Sequence, residues 1–204
     1  MAKRSAPEVN AGSMADIAFL LLIFFLVTTT IEKDSGLNRK LPPMEEDVEP
    51  PIIKQRNIFT VLLNGKDQLL VEEELMEIKD LRSAAIEFLD NNGDGTCTYC
   101  KGVKNSSSSD NPDKAIISLK NDRETTYATY ISVQNELVAA YNELRNREFL
   151  RLYPSIGLNF VDAQKRYDDP RTSADDAEDL KPKLDVVKKM FPQKLSEAEP
   201  SKTN

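Results

Sequence analysis

A stretch of apolar residues near the start of the chain carries a single acidic side chain, and this combination constrains the fold more than any other feature. The apolar run covers residues 17–27, and Asp16 is the only ionisable residue within 11–31. At about 1.5 Å of rise per residue, residues 11–31 would form a helix of roughly 30 Å, which matches the hydrocarbon core of a bilayer. A carboxylate in that environment costs roughly 2.5–3.5 kcal/mol on insertion scales, so it is usually retained for proton relay or for a buried ion pair.

The same stretch has some features of a cleaved secretory signal peptide. Lys3 and Arg4 would form its basic start, and residues 17–27 have the length of its apolar centre. Asp16, however, interrupts the beginning of that centre, and residues 28–32 lack the pattern of small residues at which signal peptides are cleaved. We therefore expect a membrane anchor that is retained.

The composition of the chain excludes several classes of protein. Its 204 residues suit one membrane helix and one modest domain. Asp and Glu number 34 against 27 Lys and Arg, and this acidic excess argues against nucleic-acid binding. Because the sequence contains no histidine, Ser-His-Asp and Cys-His catalysis and His-ligated metal sites are excluded. We expect neither an enzyme nor a metal centre.

Changes in composition along the chain predict its organisation. Paired prolines and a run of acidic residues within 32–57 are typical of an extended linker. The predicted segments are, in chain order, a tail (1–10), a membrane helix (11–31), an extended linker (32–57), a folded domain (58–153) with an insertion (91–113), and a polar C-terminal extension (154–204).

Hydrophobic periodicity predicts the elements of the folded domain, and Asn64-Gly65 is a strong hairpin signal within it. The predicted elements are strands over 57–63 and 68–71, a helix over 78–89, a strand over 115–119, and a helix capped by Thr126. The order β-β-α-β-α predicts a small α+β sandwich with its helices on one side of a sheet.

Two further segments do not follow this pattern. Residues 91–113 are rich in Gly and Ser and are predicted to form a mobile surface loop. In the extension, the apolar residues of 180–191 (Leu, Leu, Val and Phe) recur at helical spacing and favour a helix. Residues 192–204 are predicted to be disordered.

Asp16 would share one face of the membrane helix with Gly12 and Ser13, and small residues there would allow a second helix to approach closely. The apolar residues that continue this face towards Val27 offer no charged partner, so a partner must come from other chains. Reversible protonation is the functional interpretation, because apolar surroundings favour the neutral acid and polar surroundings favour the carboxylate. The alternative is that Asp16 caps the helix at the membrane surface.

Residues at the far end of this helix and beyond it are further candidates. Thr28, Thr29 and Thr30 could line a path for water, although such hydroxyls more often bond to their own helix carbonyls. Leu41 and Pro42 lie between the membrane and the domain. They belong either to plain linker or to a strand that adds to a sheet edge of this chain or of a partner.

The insertion contains two patterns that are typical of functional sites in other proteins. Cys97 and Cys100 form a C-x-x-C pair, but Gly/Ser-rich surroundings do not suit a redox centre, and in an oxidising compartment we expect a disulfide that ties the insertion. Residues 90–95 match the first half of an EF-hand loop. Because its twelfth position is Lys101 instead of glutamate, we do not expect tight calcium binding.

Several short motifs together resemble those of the ExbD/TolR family, and in particular of its ExbD-type members. The motifs that carry the resemblance are Val-Asn at 9–10, Met-Ala-Asp-Ile at 14–17, Leu-Pro at 41–42, and a strand at 116–120 followed by Asp122 and Tyr127. The resemblance covers roughly residues 9–146. The chain departs from the family pattern at Gly12, Ser13 and Met14, where Thr-Pro is usual before the aspartate.

This resemblance implies an inner-membrane protein that crosses the bilayer once, with a cytoplasmic N-terminus and a periplasmic C-terminal domain. Charge alone does not fix that orientation, because basic residues occur on both sides of the predicted helix. Family members sit as a pair inside a pentameric ring of ExbB-like subunits and conduct protons down the proton motive force. They dimerise through the linker and outer domain and pass work to a TonB-like protein that opens outer-membrane transporters. The family aspartate corresponds to Asp16, and no cofactor other than protons is implied.

Two other functions stay open from the sequence. A membrane tether of the TolR or MotB kind would hold the cell wall with its outer domain, but no clear Arg/Asp site for a diaminopimelate group is present. A secreted redox or calcium-loop protein with a cleaved leader is the other alternative.

Overall fold

The computed structural model describes residues 11–28 and 53–198 of the chain. The described residues fall into two compact units, of which the first contains helix α1 (Ala11–Thr28) and the second contains the remaining elements. The strands of the second unit are β1 (Ile58–Leu63), β2 (Leu69–Val71), β3 (Glu74–Met76), β4 (Ile116–Asn121) and β5 (Leu195–Ala198). Its helices are α2 (Ile78–Leu89), α3 (Tyr127–Leu152), α4 (Phe160–Asp168) and α5 (Ala174–Met190), with short 3-10 turns at Gln55–Asn57 and Pro154–Ile156.

The five strands form one mixed sheet in the order β3-β2-β1-β4-β5. β1 and β2 are antiparallel with Val61 opposite Val71, and β2 pairs with β3 in a hairpin. β1 runs parallel to β4 with Val61 opposite Leu119, and β4 runs parallel to β5 with Ile117 opposite Leu195. Parallel neighbours need long crossover connections. The β2–β3 hairpin, α2 and the insertion supply the first, between β1 and β4, and α3 to α5 supply the second, between β4 and β5.

One face of the sheet packs against α2 and α3. Alternate residues of β1, namely Phe59, Val61 and Leu63, are buried there, and they join Leu81 of α2 and Leu137 of α3 in one core. Each large apolar side chain that becomes fully buried contributes roughly 1.5–3 kcal/mol. This core therefore fixes the orientation of both helices on the sheet.

The small α+β architecture predicted from the sequence is confirmed, with α2 and α3 on one side of the sheet. The predicted elements over 57–63, 68–71, 78–89 and 115–119 agree with β1, β2, α2 and β4 to within about two residues. Thr126 caps α3 as predicted, because its hydroxyl accepts a hydrogen bond from the backbone N–H of Thr129.

Strand β3 is an element that the sequence pattern does not indicate. It is three residues long, and Glu74 and Leu75 within it are exposed. The turn that leads into it holds Glu72 and Glu73 at φ values of 49° and 71°, a backbone region where Asn and Gly are usual. A pair of glutamates therefore gives no hairpin signal.

The C-terminal extension packs into the same compact unit as the domain. The helix predicted over 180–191 is confirmed as part of α5. Its residues Leu180, Leu184 and Val187 are buried in a second core with Phe149 of α3 and Phe160 of α4.

The prediction of disorder over 192–204 is wrong for residues 195–198, which form β5, whereas residues 199–204 lie outside the described part of the chain. The N–H of Ile117 donates to the carbonyl of Lys194 at 2.9 Å, and Phe191 is fully buried immediately before this connection. β5 is thus held by backbone pairing and by a neighbouring aromatic anchor. A polar sequence can satisfy both conditions without showing an apolar pattern of its own.

Candidate functional site

Asp16 lies in the second turn of α1, and its side chain is exposed. Around it α1 presents large apolar side chains: Ile17, Leu20 and Ile23 are 59%, 58% and 40% exposed. Leu20 and Ile23 follow Asp16 at i+4 and i+7, so they lie on the same side of the helix. Contiguous apolar surface of this kind marks contact with protein or lipid. Helix α1 is therefore an interaction element that carries one acidic group.

Among the helices in the described part of the chain, none combines the length and apolar character needed to cross a bilayer. The anchor predicted over 11–31 is described as far as Thr28, where α1 ends, and its assignment as a membrane helix stays a prediction.

The other sequence candidates in the predicted anchor and linker are only partly described. Gly12 and Ser13 lie in the first turn of α1, one turn before Asp16. Thr28 is the last residue of that helix. Thr29, Thr30, Leu41 and Pro42 lie outside the described residues, and their roles stay predictions.

The insertion over 91–113, predicted to be a surface loop, is packed through buried polar side chains. Asn91 and Ser109 are 1% and 0% exposed, and the Asn91 amide donates to the carbonyls of Asn105 and Ser109, both at 2.8 Å. A Cβ atom at Gly102 would lie 2.6 Å from the Cα of Asn91, so only glycine fits there. The prediction of a loop is confirmed, since residues 91–113 form no helix or strand and most of them are at least partly exposed. Composition does not reveal which of its polar side chains turn inward and replace backbone hydrogen bonds.

Cys97 and Cys100 form a disulfide in the structure, with their Cα atoms 5.6 Å apart. The Asn92 side chain holds the start of this bridge, because it donates to the Cys97 carbonyl and accepts from the Cys97 N–H, both at 2.9 Å. The bridge lies in irregular backbone, and residues 91–113 around it contain no helix. Such a setting suits a covalent tie within the insertion and lacks the helix N-terminus that activates the nucleophilic thiol of redox enzymes.

Tyr99, which lies between the two cysteines in the sequence, connects the insertion to the end of α5 through its hydroxyl and its ring. Its hydroxyl donates to the carbonyl of Met190 at 2.7 Å, and its ring lies edge-on to that of Phe191 with centroids 5.4 Å apart. Burial, with a contribution from carboxylates such as Asp113, raises the pKa of Tyr99, so the hydroxyl keeps the proton that it donates.

The acidic residues of the partial EF-hand pattern are engaged by other side chains of the protein. Asp90 accepts from both terminal nitrogens of Arg147 at 2.6 and 2.9 Å. Asp94 accepts a hydrogen bond from the Thr96 hydroxyl at 2.7 Å, and its carboxylate lies 3.0 Å from the Lys114 ammonium. The hydrogen bonds from Thr96, and to a smaller extent the contact with Lys114, hold the pKa of Asp94 well below its usual range. Across the residues that the structure describes, no three acidic, Cys or His side chains converge as a metal site would require.

Asp110 is a buried carboxylate that joins the end of the insertion to the start of β1. It forms an ion pair with Arg56 and lies 3.5 Å from Lys54, and Asn57 accepts its backbone N–H at 2.8 Å. Burial by itself would raise the pKa of Asp110, but the hydrogen bond from Asn57 and the charges of Arg56, Lys54 and Lys114 outweigh it and lower that pKa.

Sequence reasoning missed both of these polar networks. Arg147 and Asp90 are 57 positions apart, and Asn57 and Asp110 are 53 positions apart, so no local spacing signals either contact. The networks order the insertion from several sides. They join the end of α2 to α3, and the end of the insertion to the segment before β1.

Comparison with known proteins adds an independent result. A family model described as biopolymer transport protein ExbD/TolR matches residues 2–146. A curated protein of Vibrio cholerae serotype O1, biopolymer transport protein exbD2, is 28% identical to the chain over 87 residues. That match covers 43% of this chain and 61% of the relative, so the chain spans less than two thirds of the relative's length. Helices α4 and α5 and strand β5 lie C-terminal to the family match.

Proposed function

Since this chain belongs to the ExbD/TolR family of biopolymer transport proteins, we propose that it is the proton-carrying stator subunit of an ExbB-ExbD-type motor in the bacterial inner membrane. The motor uses the proton motive force to energise TonB-dependent transport across the outer membrane. The observation that carries this proposal is the family match over residues 2–146, which includes Asp16 on a helix with exposed apolar side chains.

The physical basis is the cost of a carboxylate in apolar surroundings. One elementary charge that crosses the membrane potential gains or loses about 2.3 kcal/mol per 100 mV. When Asp16 is protonated, its helix face is compatible with apolar contacts, whereas the carboxylate favours a polar environment. Alternation between these two states converts proton flow into movement of α1 relative to its partners.

The helix face of Asp16 supports partners that belong to other chains. Leu20 and Ile23 supply no charge on the helix face of Asp16, so the groups that take up and release the proton belong to other chains. We assign this role to an ExbB-like pentameric membrane ring that surrounds a pair of these chains. The N-terminus faces the cytoplasm, and the folded domain faces the periplasm, where it engages a TonB-like protein.

A second candidate function is that of a TolR- or MotB-like tether, whose outer domain binds the cell wall or partner proteins. The description of the family model names TolR as well as ExbD, and this observation favours the second function. In that function Asp16 would still contact a membrane partner, but transport across the outer membrane would not depend on it.

The two functions are separated by an Asp16→Asn variant in a strain that lacks its own copy of the protein. If protons pass through Asp16, the variant is present in the membrane fraction but does not restore growth under iron limitation. An Asp34→Asn variant makes the same chemical change beyond the apolar run and is expected to restore growth. Normal growth with Asp16→Asn would support the tether and overturn the stator assignment.

A further inference from the structure

A groove of about 360 Å³ opens between the β2–β3 hairpin, α2 and the insertion. Its floor is apolar and is formed by the edges of core residues, including Phe59, Val71 and Phe88. Polar residues surround this floor, and several of them belong to the insertion. The groove has the apolar base and polar rim that are typical of peptide-binding surfaces.

The walls of the groove are preformed. On one side, Asn105 is held by two hydrogen bonds to Asn91, which is itself buried. On the other side, the carboxylate of Glu72 accepts from the backbone N–H of Thr60 at 2.5 Å and fixes the β2–β3 turn to β1. A ligand would therefore bind without the cost of ordering these segments.

The charge of the groove is negative. Glu74 and Glu87 line it and are exposed, and within residues 11–28 and 53–198 the structure records no ion pair for either of them. The cationic side chain in the lining is Arg56, which is paired with the buried carboxylate of Asp110. Two uncompensated carboxylates thus flank the apolar floor.

An exposed apolar side chain completes the surface. Val103 lines the groove and is 73% exposed, although it lies on an insertion that is otherwise held by buried polar groups. An apolar side chain left in solvent beside an apolar floor marks a place where a partner can remove both from water.

We propose that this groove binds an extended peptide segment of a partner protein that carries an apolar side chain flanked by lysine or arginine. The apolar side chain contacts the floor and Val103, and the cations lie against Glu74 and Glu87. A second copy of this chain fits less well, because the chain carries a formal net charge of −7. The inference does not use Asp16 or proton flow, so it stands or falls separately from the proposed function.

The test uses the full-length chain in detergent micelles and a synthetic peptide, acetyl-Gly-Lys-Lys-Leu-Phe-Lys-Lys-Gly-amide, with affinity measured by calorimetry. In the first control peptide every lysine is replaced by glutamate, and in the second the Leu-Phe pair is replaced by Ser-Ser. We expect the first peptide to bind more tightly than both controls, and its affinity to fall as salt is raised.

Matched variants locate the site. Glu74→Gln with Glu87→Gln is expected to weaken binding about fivefold, and Val103→Ser is expected to weaken it about threefold. Glu178→Gln, an exposed glutamate on α5 outside the groove, is expected to leave the affinity unchanged. Circular dichroism checks that each variant is folded.

The proposal is overturned if the lysine peptide binds no more tightly than its glutamate version, or if the groove variants weaken binding no more than Glu178→Gln does. It is also overturned if the groove variants abolish self-association of the chain, measured by sedimentation without peptide, because a second copy would then be the occupant.

Discussion

Arg145 on α3 donates from Nε and Nη2 to the backbone carbonyl of Phe191, at 3.0 and 2.7 Å, and so joins the main helix of the domain to the end of α5. Its guanidinium carbon lies 5.7 Å from the ring centre of Tyr141 and 5.5 Å from that of Phe160. Burial lowers the pKa of Arg145 to about 10, against an opposing effect of Tyr141, so the group is still charged near neutral pH. One cation thus links both cores of the folded unit.

Replacement of Arg145 by methionine removes both hydrogen bonds and leaves the Phe191 carbonyl buried without them. We expect the free energy of unfolding to fall by about 2–3 kcal/mol, as measured by chemical denaturation of the full chain. Arg123→Met, at an exposed position before α3, is the matched control and should change stability by less than about 0.5 kcal/mol. Equal effects of the two variants would show that Arg145 does not link the cores.

The Tyr99 hydroxyl makes a specific contribution to the same connection. Tyr99→Phe keeps the ring against Phe191 but removes the hydrogen bond to Met190, which should lower the free energy of unfolding by about 1 kcal/mol. Tyr127→Phe is the control, because that ring is 77% exposed. A Tyr99→Phe protein as stable as wild type would argue that the hydroxyl contributes nothing to the attachment of the insertion.

These two connections show what the sequence could and could not predict. β1, α2, β4 and α3 were predictable because each carries its own apolar periodicity, and the cap at Thr126 lies next to the helix that it starts. Strand β5 and the packing of the insertion depend on contacts between residues far apart in the chain, such as Ile117 with Lys194. Local sequence patterns do not predict contacts between residues so far apart in the chain.

Asp16 illustrates the opposite case. A lone carboxylate beside an apolar run is a local signal, so the candidate residue could be identified without any structure. Its partners could not be identified in this way, because the proposed function assigns them to other chains. The acidic groove was also missed, since Glu74, Glu87 and Val103 come together only when the hairpin, α2 and the insertion are folded.

The buried ion pair of Asp110 predicts a dependence of stability on acid. Because the pKa of Asp110 is lowered on folding, its contribution is present above the pKa of the unfolded chain, about 3.9, and is lost as pH falls through the lower folded value. At neutral pH, Asp110→Asn should cost about 2–3 kcal/mol, less than for a fully buried pair because Arg56 is 35% exposed.

The pH dependence is checked by denaturation of both proteins between neutral pH and about pH 2. The difference in stability between wild type and Asp110→Asn should shrink below about pH 4. Asp185→Asn, at an exposed position on α5, should show a small difference at every pH. A constant difference between wild type and Asp110→Asn across the acid range would contradict the assigned role of this carboxylate.

We propose that Asp16 carries protons through a multi-chain membrane assembly. The direct measurement is proton flux into liposomes that contain this chain together with an ExbB-like ring-forming membrane protein, followed with an internal pH-sensitive dye under an imposed potential. We expect flux with wild type and with Asp34→Asn, and loss of at least about tenfold with Asp16→Asn, although the assembly still forms. Equal flux in assemblies that contain wild type and Asp16→Asn would contradict the claim.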